Sequence, residues 1–160
     1  MTITIRKYDP KNTLDSAFAA TSRAFLATDL VDPNIHVLTA TENGKVVGMT
    51  QALLPKGSDT ARNVYFSTAP GRFDVLLALS EQACVDALAA GFKYALVDLP
   101  ADDALQCSGV PNVVSETHKT LNITWIGYGI DTEKGGSGRE QVTLELTAHL
   151  ANLRKAMAIK

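Results

Sequence analysis

Hydrophobic positions along this chain switch repeatedly between a period of two and a period near four, and each switch marks an element. Residues 2–8, TITIRKY, alternate and are rich in β-branched side chains, which predicts an opening strand with Ile3 and Ile5 on one face. Asp9-Pro10 ends it, because the residue before a proline avoids the helical region. Leu14, Phe18, Thr21, Ala24 and Phe25 then recur at helical spacing and predict an amphipathic helix over 13–27, capped by Asn12 or Thr13. The following LATDLVDPN reads as a loop or a frayed second helix.

A β-hairpin comes next. His36–Thr41 and Val46–Leu54 are β-rich runs around Glu42-Asn43-Gly44-Lys45, and Asn-Gly tolerates the positive φ that a two-residue turn needs. Residues 55–60 form a polar loop, and Ala61–Thr68 predicts a third antiparallel strand. After Pro70-Gly71, apolar residues from Phe73 to Leu88 predict a long helix over 72–90, with Gly91 as its stop and Phe92 as the contact beyond it. Tyr94–Leu99 is a short, nearly continuous apolar run, the pattern of a strand buried on both faces. Pro100 ends it. A weak helix capped by Asp102, a second helical stretch near 112–121 and a strand over Ile123–Ile130 follow. TEKGGSGREQ has the composition of a hairpin loop. Residues 142–158 read as a short strand and a terminal helix, or as one helix carrying Leu146, Leu150, Leu153 and Met157; we favour the former. The order β-α-β-β-β-α-β-α-β-β predicts one α+β domain over residues 1–160, with a mixed, mostly antiparallel sheet flanked by helices.

Composition narrows the classes without choosing one. The 160 residues carry 15 Lys+Arg against 17 Asp+Glu, a net charge of -2, which argues against general nucleic-acid or membrane binding. No apolar run reaches the length of a membrane helix or a signal peptide, so the expected setting is cytoplasmic and reducing. Cys84 and Cys107 stand apart, with no CxxC or Cys/His run, so no metal framework is read. Cys84 falls on the apolar side of the long helix and reads as core; Cys107 reads as an exposed thiol with no activating base. His36 and His149 read as structural or surface groups, and Asp98, Asp102 and Asp103 as caps and solvated charges. GGSGR at 135–139 lacks the spacing of a phosphate loop, and Ser67 and Ser80 lack a GxSxG context.

Several segments resemble the GNAT (GCN5-related N-acetyltransferase) superfamily, and the element order resembles its fold over nearly the whole chain. TENGKVVGMTQALL is similar to the family's second and third strands, with Gly44, Val47 and Gly48 at matching positions. FSTAPGRFDVLLALSEQACVDALAAGFKYALVDL resembles its strand, Pro-containing loop, long helix and strand. HKTLNITWIGYGID is similar to a late family motif, with His118, Leu121, Asn122, Ile123 and Gly127 in register.

The resemblance implies an acyl-CoA-dependent N-acyltransferase that moves an acetyl group from acetyl-CoA to a primary amine of a small molecule or peptide. It places the diphosphate of acetyl-CoA at the start of the long helix, on backbone N–H groups and the helix dipole. The residues then expected there are Ala69, Gly71, Arg72 and Phe73. APGRFDVL lacks the later glycines of the family's loop and carries Asp74. The position of the family's general acid holds His118, a residue able to give or take a proton near neutral pH; read without the resemblance, it is an exposed helix position. ARNVYFS has no carboxylate where the family often keeps a base, which leaves a water or Glu116 for that task. The acceptor is expected between the first helix and the 132–141 hairpin. The alternative is a GNAT-fold binding or structural protein that no longer binds acetyl-CoA, with the terminal helix as the candidate homodimer surface.

Overall fold

The computed structural model describes residues 2–21, 25–69, 71–100, 125–131 and 139–158. Seven strands form one sheet: β1 (Thr4–Lys7), β2 (Ile35–Glu42), β3 (Lys45–Leu53), β4 (Thr60–Thr68), β5 (Tyr94–Pro100), β6 (Trp125–Asp131) and β7 (Arg139–Glu145). Their order across the sheet is β1-β2-β3-β4-β5-β7-β6, antiparallel at every step except the parallel pair β4 and β5. Among the described residues three helices, α1 (Thr13–Thr21), α2 (Phe73–Ala89) and α3 (Leu146–Met157), cover it, with a 3₁₀ turn at Asp29–Val31. The expected mixed α+β architecture is present, and 142–158 is a strand followed by a helix. Among the described residues no helix is long and apolar enough to cross a membrane.

Local chemistry accounts for the sharpest boundaries. Asn43 and Gly44 have φ of 53° and 76°, so the β2–β3 hairpin closes through two left-handed residues. At the end of α2, Gly91 has φ of 92°; its N–H bonds to the Leu88 carbonyl and the Phe92 N–H to the Ala87 carbonyl, both at 3.0 Å. This pair of bonds is a Schellman cap, and Phe92 folds back into the core beside Ala87 and Leu88.

α2 and α3 lie on one face of the sheet. Val75 and Leu79 pack on Leu38, Ala40, Ile3 and Ile5, while Cys84 and Ala87 meet Ala61, Ala95, Leu146 and Leu153. Within α3, Leu146 and Leu153 are buried and Leu150 packs against them, so most of that apolar stripe serves the chain's own core. The other face carries α1, whose Phe18 and Ala19 meet Val37, Met49 and Tyr65.

α1 departs from the pattern read in the sequence. Asn12 caps it, accepting from the N–H groups of Leu14 and Asp15 at 2.9 and 3.3 Å. The helix is described over Thr13–Thr21, and Phe25, expected within it, lies outside it and enters the core. Leu14 is 55% exposed, whereas Asp15 is fully buried. A carboxylate tolerates that place because Arg6 bonds both its oxygens at 2.6 Å and the Asp9 N–H adds a third bond at 3.0 Å.

Candidate active site

The central opening of the sheet is set by one irregularity in β4. The β3–β4 register runs Gln51↔Tyr65 and then Leu53↔Arg62, so β4 holds one more residue than β3 there. Asn63 lies in this bulge at φ of 50°. A bulge bends its strand and increases its twist. β4 therefore leaves β5 just past this point: the two pair only at Thr60↔Tyr94 and Ala61↔Ala95. From Arg62 onward, β4 presents to β5 an edge with no strand partner among the described residues. The result is a wedge that opens toward the start of α2.

The turn between β4 and α2 stands at the mouth of this wedge. A second bulge leaves Val47 as an extra residue of β3, between the pairs Ala40↔Gly48 and Thr41↔Val46. The Val47 carbonyl accepts from the Ala69 N–H at 2.9 Å. Gly71 follows at φ of 74°, a conformation that favours glycine, and the Arg72 N–H returns to the Ala69 carbonyl at 3.2 Å. Gly48 lets α2 approach closely: a Cβ there would stand 2.7 Å from Val75 Cγ1 and 3.2 Å from the Ser67 carbonyl oxygen.

Arg72 occupies the N-cap position of α2 and is gripped from both sides. Its Nη1 and Nη2 donate to the Glu42 carboxylate at 2.9 and 2.8 Å. Its Nε and Nη2 donate to the Asp74 carboxylate, both at 3.0 Å. The carboxylates' hydrogen bonds hold the guanidinium above its already high ordinary pKa. Arg72 draws Glu42 below the usual carboxylate range, and it does the same to Asp74, helped by the N–H groups of Val75 and of Asp74 itself. Glu42 is brought here by the tight β2–β3 hairpin, 30 residues from its partner.

Of the residues expected to hold a cofactor, Ala69, Gly71 and Arg72 meet in this turn, and Phe73 opens α2. Their surroundings do not fit a diphosphate. The guanidinium is held by two carboxylates, the local charge sums to about -1, and Asp74 matches the positive end of the helix. Neither Glu42 nor the Asn63 bulge was read from the sequence as part of a site. His118, Glu116, Cys107, Asp102, Asp103, the helical stretch at 112–121 and the glycines of 135–138 lie outside the described residues. β4 carries no Asp or Glu from Thr60 to Thr68.

A different cleft, of about 540 Å³, opens one strand length away, where β2 begins and α2 ends. Lys7, Tyr8, His36, Lys56 and Phe92 line it. His36 Nε2 lies 2.6 Å from Asp86 Oδ2, and Gln82 donates to the other oxygen of that carboxylate at 2.8 Å. His36 is thus a strand-to-helix tie, in keeping with a structural role.

The overall fold recurs in known structures. The ribosomal-protein-S18-alanine N-acetyltransferase from Escherichia coli superposes with a TM-score of 0.65, covering 91% of this chain and 94% of that one at 15% identity. The aminoglycoside 6'-N-acetyltransferase from Enterococcus faecium gives 0.63, with 89% and 97% covered at 14% identity. A GNAT family acetyltransferase from Elizabethkingia anophelis, solved with acetyl-CoA bound, gives 0.63, with 89% and 97% covered at 12% identity. This chain has the GNAT fold. No family model and no curated protein matches the sequence. The turn held by Glu42, Arg72 and Asp74 differs from an open anion cradle, which would leave its cation unpaired.

Proposed function

We propose that this GNAT-fold chain is an N-acyltransferase that moves an acetyl group from a thioester, with acetyl-CoA as the reference donor, to a primary amine of a small molecule or peptide. The observation that carries the proposal is the wedge. An extended, amide-bearing thioester arm can lie along the free edge of β4, exchanging hydrogen bonds with backbone N–H and C=O groups as an added strand does. The structural neighbours named above acetylate an aminoglycoside amine and a protein alanine, which supports a primary amine as acceptor.

In the transfer, the neutral amine attacks the thioester carbonyl, a C–N bond forms, and the C–S bond breaks from the tetrahedral intermediate. The amine loses a proton and the thiolate gains one. Backbone N–H groups of β4 near the bulge would steady the developing oxyanion. We assign the proton to the leaving thiolate to His118. β4 contributes no carboxylate, so a water or Glu116 receives the proton of the amine. The reading includes a cytoplasmic setting. A homodimer, if formed, would draw on surfaces other than Leu146, Leu150 and Leu153, which the core already uses; light scattering on the intact chain tests it.

Thiol release from acetyl-CoA, followed over a panel of primary amines, tests the activity. His118→Ala is expected to depress turnover far more than donor affinity; unchanged turnover removes that assignment. The second reading, a GNAT-fold binding protein without acyl transfer, draws on the clamped Arg72 and the carboxylate-free β4. It is favoured if folded protein shows neither thiol release nor any binding heat with millimolar acetyl-CoA.

A further inference from the structure

Much of the turn at the start of α2 is already engaged by the protein's own groups. The Ala69 N–H is taken by Val47 and the Arg72 N–H by Ala69, at 2.9 and 3.2 Å, and Pro70 has none. The Asp74 carboxylate stands beside the N–H groups of Val75 and of Asp74 itself, which add to Arg72 in holding its pKa down, and so it lies where an anion at a helix N-terminus would sit. Arg72, the only basic side chain between β4 and α2, gives Nε and both terminal nitrogens to Glu42 and Asp74. The geometry is bidentate on both carboxylates, the form in which a guanidinium binds anions most strongly. A ligand diphosphate arriving here meets a net negative site and must displace one of these carboxylates to gain the guanidinium.

We propose that Glu42 and Asp74 are specificity residues that replace the ligand's diphosphate with internal carboxylates, so that the donor is recognised by its thioester arm alone. The class of donor that follows is an acyl thioester of a pantetheine-like chain without a diphosphate, accepted about as well as acyl-CoA. The inference rests on reading the wedge as the thioester site. In a cradle with open N–H groups and a free cation, the diphosphate end adds binding that a truncated ligand forfeits. Here that end adds little, because charge repulsion opposes whatever contacts it makes.

Calorimetric titration of the wild-type chain with CoA and, separately, with pantetheine tests this without requiring the acceptor. Dissociation constants within tenfold of each other are the expected result. A CoA preference above tenfold overturns the inference and leaves the acyltransferase reading standing. Binding of neither thiol, in protein shown to be folded, overturns both. The variants Asp74→Asn and Glu42→Gln supply the second arm. Each removes one carboxylate charge and keeps the shape, so each is expected to tighten CoA several-fold and to leave pantetheine unchanged. If CoA affinity is the same in both variants, with melting curves that match the wild type, Glu42 and Asp74 are not specificity residues.

Discussion

Arg6 holds both oxygens of Asp15 at 2.6 Å, and Asp15 is fully buried beneath the first turn of α1. Burial works against the charge, but the Arg6 hydrogen bonds and the Asp9 N–H outweigh it and keep the carboxyl below its ordinary pKa. Removing Arg6 strands a buried carboxylate. Arg6→Met is expected to destabilise the fold by about 3 kcal/mol, read from urea midpoints. The double variant Arg6→Met, Asp15→Leu recovers most of that loss. Because the folded pKa is lowered, the stabilisation is complete above the ordinary carboxylate range and disappears as pH falls below it. Between pH 6 and 3 the midpoint of Asp15→Asn therefore falls less steeply than that of the wild type.

Asn63 sits at φ of 50° in the bulge that separates β4 from β5. Asparagine and glycine accept that conformation, and β-branched residues resist it. Asn63→Gly is expected to be close to neutral, whereas Asn63→Val costs about 1–2 kcal/mol of stability. If the bulge sets the wedge, the Val variant also loses affinity for pantetheine, and the Gly variant does not.

Gly48 faces Val75 and Leu79, both fully buried, and a methyl group there meets Val75 Cγ1 at 2.7 Å. The stiff valine and the Ser67 carbonyl leave little room to yield. Gly48→Ala is expected to push α2 off the sheet at a cost of about 1–3 kcal/mol, measured by denaturant unfolding.

Cys84 lies in the core, where burial first and the nearby Glu81 charge second push its thiol up to about 12. At pH 8 it is almost wholly protonated and shielded. Iodoacetamide is expected to leave Cys84 unmodified in the folded chain and to label it readily in urea, as read by peptide mass mapping. Rapid labelling without denaturant would contradict its placement.

Elements defined by neighbouring residues were legible in the sequence. Asn43-Gly44 specified its hairpin, and Gly91 with Phe92 specified the end of α2, because each needs only a few consecutive residues. The α+β order followed from apolar periodicity, as did the core position of Cys84. Leu14 misled that periodicity: its spacing suited the buried face, but Asp15 took the interior because Arg6, nine residues earlier, was there to meet it. The site was legible as a turn and not as an environment. The motif grouped Ala69, Gly71 and Arg72 in one turn, while Glu42 joins Arg72 only through the stacking of strands, a relation with no local signal. The bulge at Asn63 was hidden for the same reason, since one residue of excess in β4 is defined only against β3.

The order β5-β7-β6 places the last strand of the chain between two that precede it. During synthesis, β5 and β6 emerge with no partner for their facing edges, and both wait for Arg139–Glu145. The half of the sheet from β1 to β4 can form from sequential antiparallel neighbours as it leaves the ribosome. The other half is complete only once β7 fills the gap and Leu146 and Leu153 of α3 pack against α2. A chain cut before residue 139 would thus keep an ordered front and two exposed strand edges, the condition in which unfinished sheets recruit one another.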